Sequence, residues 1–336
     1  MTEKTPRGQV KERVREALFA AEGFLSGDAL SRELGCSRTA VWKAIAALKE
    51  EGYEISSSKG SGYRLEKMAS SLSAEGIRYF LGEGAMVEVL DVASSTNQRA
   101  KAALGEGKVE DGAVFAALSQ TQGRGRRGKS FFSPPGTGVY FSVVLRPACS
   151  LEEARLCTTA AAAAVSAAIE ELYGKVLGIK WVNDLFLEGK KVGGILTEAV
   201  TDFEGGDVEA VIVGIGLNIF PPREGYPEEL SEIAGSVFSK EERADVNANE
   251  IVARVTQKLL LFSKEKEVHP LYRKRSICLG RQVEVEGERG TAKEILPDGR
   301  LVVLLSNGEE KVFSHGELRL LDRETAQVAR VGKVKE

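Results

Sequence analysis

Residues Gln120–Ser142 read QTQGRGRRGKSFFSPPGTGVYFS. Glycines, arginines and a lysine stand there between two apolar runs, Ala113–Leu118 and Val139–Leu145, both rich in strand-forming residues. The stretch is therefore a Gly/Arg loop joining two strands. Glycine lets backbone N–H groups come close to a ligand, and arginine offers forked donors to phosphate or carboxylate. These residue types point to an anion held against backbone. Gly123–Ser130 fits the phosphate-loop pattern GxxxxGK[ST], and Gly123, Gly125 and Gly128 fit the dinucleotide pattern GxGxxG. Both patterns need a helix to begin where the loop ends. Here Ser133-Pro134-Pro135-Gly136 follows instead, then a strand-like run. No acidic residue stands about 20 positions on at a strand end. A kinase glycine loop would need HRD and DFG partners, which are absent. A disordered RGG tract does not fit such apolar flanks.

Upstream of the loop, Val87–Val92 alternates as a strand, and Ser94-Ser95-Thr96-Asn97 stands before a helix over Gln98–Leu104. Hydroxyls and an amide at a helix start are either caps, the better reading of these residues alone, or groups turned toward a ligand. Downstream, Leu151–Tyr173 reads as an Ala-rich helix that can lie close on a sheet. Ile179–Val182 is strand-like and leads to Asn183-Asp184. Leu185–Leu187 and Lys191–Val200 flank a Glu188-Gly189-Lys190 hairpin turn, and Val208–Ile219 closes with Gly214-Ile215-Gly216-Leu217-Asn218. Mostly consecutive strands with few helices predict an α+β fold: a mixed sheet with its helices segregated to one side, rather than a βαβ repeat. By themselves, Asn183-Asp184 reads as an ordinary turn and Lys191 as a solvated hairpin residue.

The N-terminal segment has another pattern. A helix over Val10–Ala21 precedes a short helix capped by Ser26-Gly27-Asp28 and, after a Gly35-Cys36-Ser37 turn, a helix over Arg38–Glu51. That is a helix-turn-helix, and the hairpin-like YEISSSKGSGYRL after Gly52 makes it winged. Ser37, Arg38, Thr39, Trp42, Lys43 and the hairpin-tip Lys59 are the candidate DNA contacts. A helical interaction module that never meets DNA is the plainer alternative. Glu66–Ser73 reads as a polar linker, and Ala74–Leu81 as a short helix. Pro221–Gly235 is a Pro-rich loop and Glu250–Lys266 an amphipathic helix. From Gln282, short strands with Pro297-Asp298-Gly299 and Asn307-Gly308 turns predict a small all-β barrel.

Composition narrows the chemistry. With 336 residues, 43% hydrophobic and 28% charged, the chain can hold two or three cored domains. The net charge of −3 excludes a bulk polycation. Residues 1–67 carry 12 Lys/Arg against 10 Asp/Glu, a small excess that favours a nucleic-acid-binding N-terminus. Four cysteines without CxxC spacing argue for a reducing compartment and against a zinc site. The first 17 residues have no apolar core, and the alanine run Thr158–Ile169 is too short to span a bilayer. No membrane association and a cytoplasmic location are expected. Two histidines, both far from the Gly/Arg loop, leave the chemistry to Lys, Arg, Asp and magnesium.

Taken in order, the motifs resemble those of bifunctional biotin–protein ligases that are also biotin operon repressors. The resemblance runs from about residue 10 to 322. It rests on the wing sequence after Trp42-Lys43, Ser95-Thr96-Asn97, Gln120 with GRGRRG, SPPGTGVYFS, Lys180-Trp181-x-Asn183-Asp184, Lys191-x-x-Gly194-Ile195-Leu196 and Gly214-x-Gly216-x-Asn218. It implies a winged helix-turn-helix over 1–67, a catalytic domain like class II aminoacyl-tRNA synthetases over 68–275, an SH3-like β barrel over 276–325, and a tail over 326–336. It also implies a two-step reaction: biotin and ATP form biotinyl-adenylate, and a lysine of a biotin carboxyl carrier protein then takes the biotinyl group.

For the site, the resemblance implies that Ser95, Thr96 and Gln120 bind the ureido and ring end of biotin, with Asn97 also among the biotin-binding residues. Arg124, Gly125 and Arg126 would hold its carboxylate and the phosphate, and Lys191 would stand at the reacting centre. Gly194, Leu196, Gly214 and Gly216 would let the ligand lie on the sheet. Arg126, Lys180, Asn183 and Asn218 would meet ATP, and Asp184 the magnesium or ATP side. Lys191, Arg124, Arg126 and Asp184 are the catalytic candidates. Adenylate is expected to favour a homodimer that binds operator DNA. Three positions depart from the family: Val182 stands for proline, Phe131 for tryptophan and Lys129 for arginine. The rivals are a biotin-sensing regulator without ligase activity, which the intact Lys191 and Arg124–Arg126 oppose, and a lipoate-type ligase, which GRGRRG and the winged helix oppose. A third, a synthetase-like RNA-binding protein, lacks an RNA-reading module.

Overall fold

The computed structural model describes residues 7–321 apart from 22, 59, 68–70, 108, 148, 149, 151, 152 and 202–207. The expected Lys59 contact and the tail at 326–336 lie outside the described residues. The chain divides into two units. One runs up to Gly84 and adds Ala244–Glu250; the other holds Ala85–Arg243 and residues from Ile251 onward.

In the first unit, helices α1 (Arg7–Ala20), α2 (Gly27–Glu33) and α3 (Arg38–Glu50) precede strands β1 (Glu54–Ser58) and β2 (Gly62–Lys67) and helix α4 (Ala74–Leu81). Hydroxyl caps set the turn between α2 and α3. Ser26 Oγ accepts from Ala29 N at 3.0 Å, and Ser37 Oγ accepts from Ala40 N at 3.1 Å. The apolar faces of these helices close on one core that includes Val14, Leu18, Leu30, Val41, Ile45 and Leu48. β1 and β2 form an antiparallel hairpin. The expected linker at Glu66–Ser73 is shorter than its composition suggests. β2 continues through Lys67, and Ser73 already caps α4 through Gly76 N at 3.1 Å.

The second unit is built on a seven-stranded sheet. Its strands are β3 (Val87–Ala93), β4 (Val114–Gln120), β5 (Gly138–Leu145), β6 (Gly178–Lys180), β7 (Asp184–Leu187), β8 (Lys190–Thr201) and β9 (Val208–Asn218). They lie in the order β3-β4-β5-β9-β8-β7-β6. β3 and β4 are parallel, joined across α5 (Thr96–Glu106), and every other pair is antiparallel. The sheet is mixed, as expected.

Its helices, however, are not segregated to one side. Thr197 and Glu198 are successive residues of β8 and so point to opposite faces. Glu198 bonds Asn97 of α5, whereas Thr197 accepts from Thr158 of α6 (Ala154–Tyr173) at 2.8 Å. The strand period of two therefore places α5 and α6 on opposite faces. Ile179–Val182 is also not one strand: β6 ends at Lys180, and Trp181–Asn183 is a turn with a cis Trp181–Val182 peptide.

α7 (Glu228–Ser231), α8 (Ala248–Phe262) and α9 (Pro270–Lys274) follow. β10 (Gln282–Val285), β11 (Glu288–Ile295), β12 (Leu301–Leu305), β13 (Glu310–Phe313) and β14 (Leu318–Leu320) then make an antiparallel sheet in the order β13-β12-β11-β10-β14. α6 meets its sheet through alanine: Ala161, Ala162, Ala163 and Ala164 have no exposed surface. Ala163→Leu should therefore cost about 1–3 kcal/mol by overpacking, read as a lower urea midpoint at unchanged slope. An unchanged midpoint would mean that the helix rides loosely on the sheet.

Candidate active site and DNA-facing surface

The Gly/Arg loop folds as a small hairpin. Gly125 N donates to Lys129 O at 2.7 Å, Phe131 N to Gly123 O at 2.8 Å, and Arg124 pairs with Ser130. The only helical turn in the loop is a 3-10 turn at Arg126–Gly128, where Arg127 adopts φ 58°. No helix opens on the loop, which removes the basis of a phosphate-loop or dinucleotide reading. A β-carbon at Gly123 would stand 2.3 Å from Phe131 O, so the hairpin closes only with glycine there.

Beside the loop lies a cavity of about 480 Å³. It brings together all of the anticipated small-molecule residues: Ser95, Thr96, Asn97, Gln120, Arg124, Gly125, Arg126, Lys180, Asn183, Asp184, Lys191, Gly194, Leu196, Gly214, Gly216 and Asn218. They form two clusters of different chemistry.

The first cluster is polar and almost fully buried. Ser95 is 3% exposed and stands at the N-cap of α5, yet makes no side-chain cap bond. The cap reading therefore fails for Ser95, whose hydroxyl is left to the cavity it lines. Gln120 Oε1 accepts from Thr96 N at 3.0 Å, and its Nε2 donates to Ser133 Oγ at 2.9 Å. Asn97 differs from expectation. Its Nδ2 donates to Leu196 O at 3.2 Å and Glu198 Oε2 at 2.6 Å, and its Oδ1 accepts from Ser142 Oγ at 2.6 Å. Its amide is thus engaged by the sheet rather than held out for a ligand.

Two of the cavity glycines are approached closely by protein side chains. A β-carbon at Gly214 would stand 2.2 Å from Asn97 Oδ1, and one at Gly216 would stand 2.6 Å from the Phe131 ring. Those side chains take the place of the missing β-carbons, and both glycines line the cavity. At Gly194 the same atom would make ordinary contact with Lys191 and Phe131 at 3.6–3.7 Å.

The second cluster is ionic. Lys191 Nζ lies 2.6 Å from Asp184 Oδ1, and Lys180 Nζ lies 3.3 Å from Asp184 Oδ2. With an ammonium on each oxygen, Asp184 is a counter-ion for two lysines. Among the described residues no group of three or more His, Cys, Asp or Glu could hold a metal. Arg126 Nη1 donates to Asn183 Oδ1 at 3.2 Å, and Asn183 Nδ2 to Ile195 O at 2.9 Å. Burial, and then the neighbouring Arg127, lower the Arg126 pKa, while Asp184 opposes the shift. Arg124 is exposed at the rim.

The loop Pro221–Gly235 forms a further wall. Lys191 N donates to Ile233 O at 2.8 Å, Gly235 N to Lys191 O at 2.9 Å, and both Asn218 Nδ2 (3.0 Å) and Tyr226 OH (2.8 Å) donate to Gly235 O. Burial pushes the Tyr226 phenol up to about 12, so it stays a donor. Tyr226, Leu230, Ile233 and Gly316–Leu318 line the cavity but carry no sequence motif. The C-terminal sheet region also clasps the Gly/Arg loop: Glu286 binds Arg127 at 2.8 Å and Glu317 binds Lys129 at 2.7 Å. Nothing in the sequence links these residues, which are about 160 to 190 positions apart.

In the first unit, Arg38, Thr39, Trp42 and Lys43 are exposed on α3, with Trp42 at 60%. Arg38 is ion-paired with Asp28. The Ser37 hydroxyl caps α3. Arg38, Thr39 and Trp42 line a groove with Ser57 and Ser58 of the hairpin.

Residues 89–218 match the biotin/lipoate A/B protein ligase family, and residues 11–64 match an HTH domain. The chain belongs to the biotin/lipoate A/B protein ligase family. Among individual proteins it is 42% identical to the bifunctional ligase/repressor BirA of Bacillus subtilis over 225 residues, 66% of this chain and 68% of that protein. It is 32% identical to the Escherichia coli BirA over 247 residues, 72% and 73% of the two chains. The biotin protein ligase from Aquifex aeolicus in complex with biotin and ATP superposes with a TM-score of 0.55 at 27% identity, covering 70% of this chain and 99% of that one.

Gly216→Ala should displace the Phe131 ring and weaken biotin binding about tenfold, the equivalent of about 1.4 kcal/mol, in a calorimetric titration. Unchanged affinity would show that the ring moves aside freely.

Proposed function

We propose that this chain is a biotin–protein ligase that also acts as a biotin-responsive, DNA-binding repressor. The observation that carries this reading is that one cavity joins the buried Ser95–Thr96–Gln120 cluster to the Lys191–Asp184–Lys180 and Arg126 cluster. A ligand with a polar head and a carboxylate tail spans two such chemistries. In the first step an oxygen of the biotin carboxylate bonds to the α-phosphorus of ATP and pyrophosphate leaves. In the second, a carrier lysine, having lost a proton, bonds to the activated carbonyl, and AMP leaves with the electrons of the broken anhydride bond.

The ionic cluster suits the first step. Carboxylate and phosphate repel by about 4 kcal/mol at about 4 Å and an effective dielectric near 20. Lys191, Lys180 and Arg126 offset that repulsion and stabilise charge on the transferring phosphorus. Asp184 holds the lysines toward the reacting centre, and Asn183 orients Arg126. Arg124 at the rim and Gly125 would follow the phosphate, and Asn218 the nucleotide side. Magnesium enters as MgATP, held by the nucleotide's own phosphates. The mixed anhydride hydrolyses readily, so the Gly/Arg loop, pinned by Glu286 and Glu317, serves to exclude water.

We further infer the domain limits 1–67, 68–275 and 276–325, a winged reading of the N-terminal module, a synthetase-like catalytic sheet, an SH3-like C-terminal barrel and a cytoplasmic location. Arg38, Thr39, Trp42 and Lys43 would face operator DNA, with Ser37 fixing the helix start. The carrier substrate would be a biotin carboxyl carrier protein.

Mass spectrometry of a biotin carrier domain incubated with the protein, biotin and MgATP should show the gain of one biotinyl group. Lys191→Ala should slow that gain by about 100-fold, roughly 2.7 kcal/mol of transition-state stabilisation. Biotin binding without any transfer by the unmodified protein would leave the sensor-only regulator. A second outcome concerns association. If adenylate orders Pro221–Gly235, the unliganded loop carries an entropic cost that the ligand removes, and dimerisation tightens. Sedimentation equilibrium should then show more dimer with adenylate than without, and equal constants would contradict the coupling.

A further inference from the structure

The hydrogen bonds behind the Thr96 side of the cavity have a direction that can be worked out atom by atom. Asn97 Nδ2 faces Leu196 O and Glu198 Oε2, which can only accept, so Asn97 Oδ1 must face Ser142. Ser142 Oγ has one proton and lies 2.6 Å from Oδ1, a pure acceptor, so its proton goes there. Ser142 then has only lone pairs for Thr96 Oγ1 at 2.8 Å, and the Thr96 proton points back at Ser142. The other acceptor in reach, Gln120 Oε1, is farther at 3.4 Å, and a Thr96 proton turned to it would leave lone pairs of Ser142 and Thr96 facing each other across 2.8 Å. Thr96 Oγ1 thus shows the cavity a lone pair.

Gln120 is fixed in the opposite sense. Ser133 donates its proton to Phe131 O at 2.9 Å, so it accepts from Gln120 Nε2, and the second Nε2 hydrogen remains for the cavity. Thr96, Asn97, Ser133 and Ser142 are each at most 5% exposed, so bulk water does not scramble the chain.

We infer that Glu198 and Ser142 are positioning residues that set ligand specificity: acting through Asn97, they hold Thr96 as an acceptor beside the Gln120 donor, so the site selects carboxylic acids whose head is a cyclic urea. A cyclic urea presents N–H and C=O side by side and matches that pair. A dithiolane acid, the other acid named in this family, has neither group and leaves both buried partners unpaired, which is a strong ground for rejection. This inference rests on the biotin reading above.

The test measures biotin-dependent ATP–pyrophosphate exchange by the full chain. Substrates are biotin, its isosteric carbamate analogues with oxygen replacing one N–H (each regioisomer), and lipoate. The unmodified protein should prefer biotin to at least one carbamate by tenfold or more. Ser142→Ala frees the Thr96 proton to point at the ligand. It should raise the biotin KM about tenfold with kcat within about twofold, and bring the biotin-to-carbamate ratio toward one. Glu198→Ala should move the same ratio in the same direction, whereas Glu198→Gln, whose amide oxygen can still accept from Asn97, should restore it.

A KM that rises equally for biotin and carbamate in both alanine variants would make the residues merely structural and overturn the inference. So would an unchanged ratio. Exchange with lipoate but not biotin by the unmodified protein would instead sink the biotin reading itself, and the specificity argument with it.

Discussion

The site depends on one close approach. Gly214 has no side chain, and the Asn97 amide occupies the place where a β-carbon would be. That contact lets α5 reach the sheet at its first turn, where Asn97 ties together β5 through Ser142 and β8 through Leu196 and Glu198. Because β3, α5 and β4 are consecutive, seating α5 also brings Ser95, Thr96 and Gln120 to one wall. An alanine at 214 would push backbone or amide by more than an ångström and undo every bond in that group. The polar wall is thus a consequence of sheet register, and the Ser95 hydroxyl is left for a ligand because it is not spent on the helix.

The second requirement is electrostatic. Three cations converge where two anionic substrates must meet, and without a counter-charge they would repel one another. Asp184 meets that need by taking an ammonium on each oxygen. The same logic acts outside the cavity, where Glu286 and Glu317 neutralise Arg127 and Lys129 and turn the outer half of the Gly/Arg loop toward the C-terminal sheet. The loop's charges are therefore sorted by partner: Arg126 inward on Asn183, Arg127 and Lys129 outward on carboxylates.

Much of this was legible in the sequence, for a stateable reason. Strand alternation, the Ser26 cap, the Glu188-Gly189 turn and the Gly/Arg loop between its two strands are all local, and local patterning encodes them. Properties set by register were not legible. The side of the sheet taken by α6 hangs on whether Thr197 or Glu198 faces it, a choice of one residue. The glycines were recognised as places of close approach, but a glycine does not say whether ligand or protein fills the gap; Phe131 and Asn97 do so here. The Pro-rich loop carries no periodicity, so its pairing with Lys191 and the roles of Tyr226 and Ile233 could not be read. The carboxylates that clasp the Gly/Arg loop come from a separate sheet far along the chain.

The two clusters divide the work between them. Lysines, an arginine and a counter-ion will assist the activation of any carboxylate by a nucleotide, since they respond to charge and not to what the acid carries. Nothing in that cluster distinguishes biotin from another acid that reaches it. Discrimination must come from groups whose hydrogen-bond polarity is fixed before the ligand arrives, and those lie at the other cluster. A family that uses one fold for more than one acid needs to vary only the buried polar wall on α5 and β4, leaving the ionic centre untouched. The wall in this chain has an acceptor beside a donor and little room for either to turn over, and that constraint favours a urea head and opposes a dithiolane.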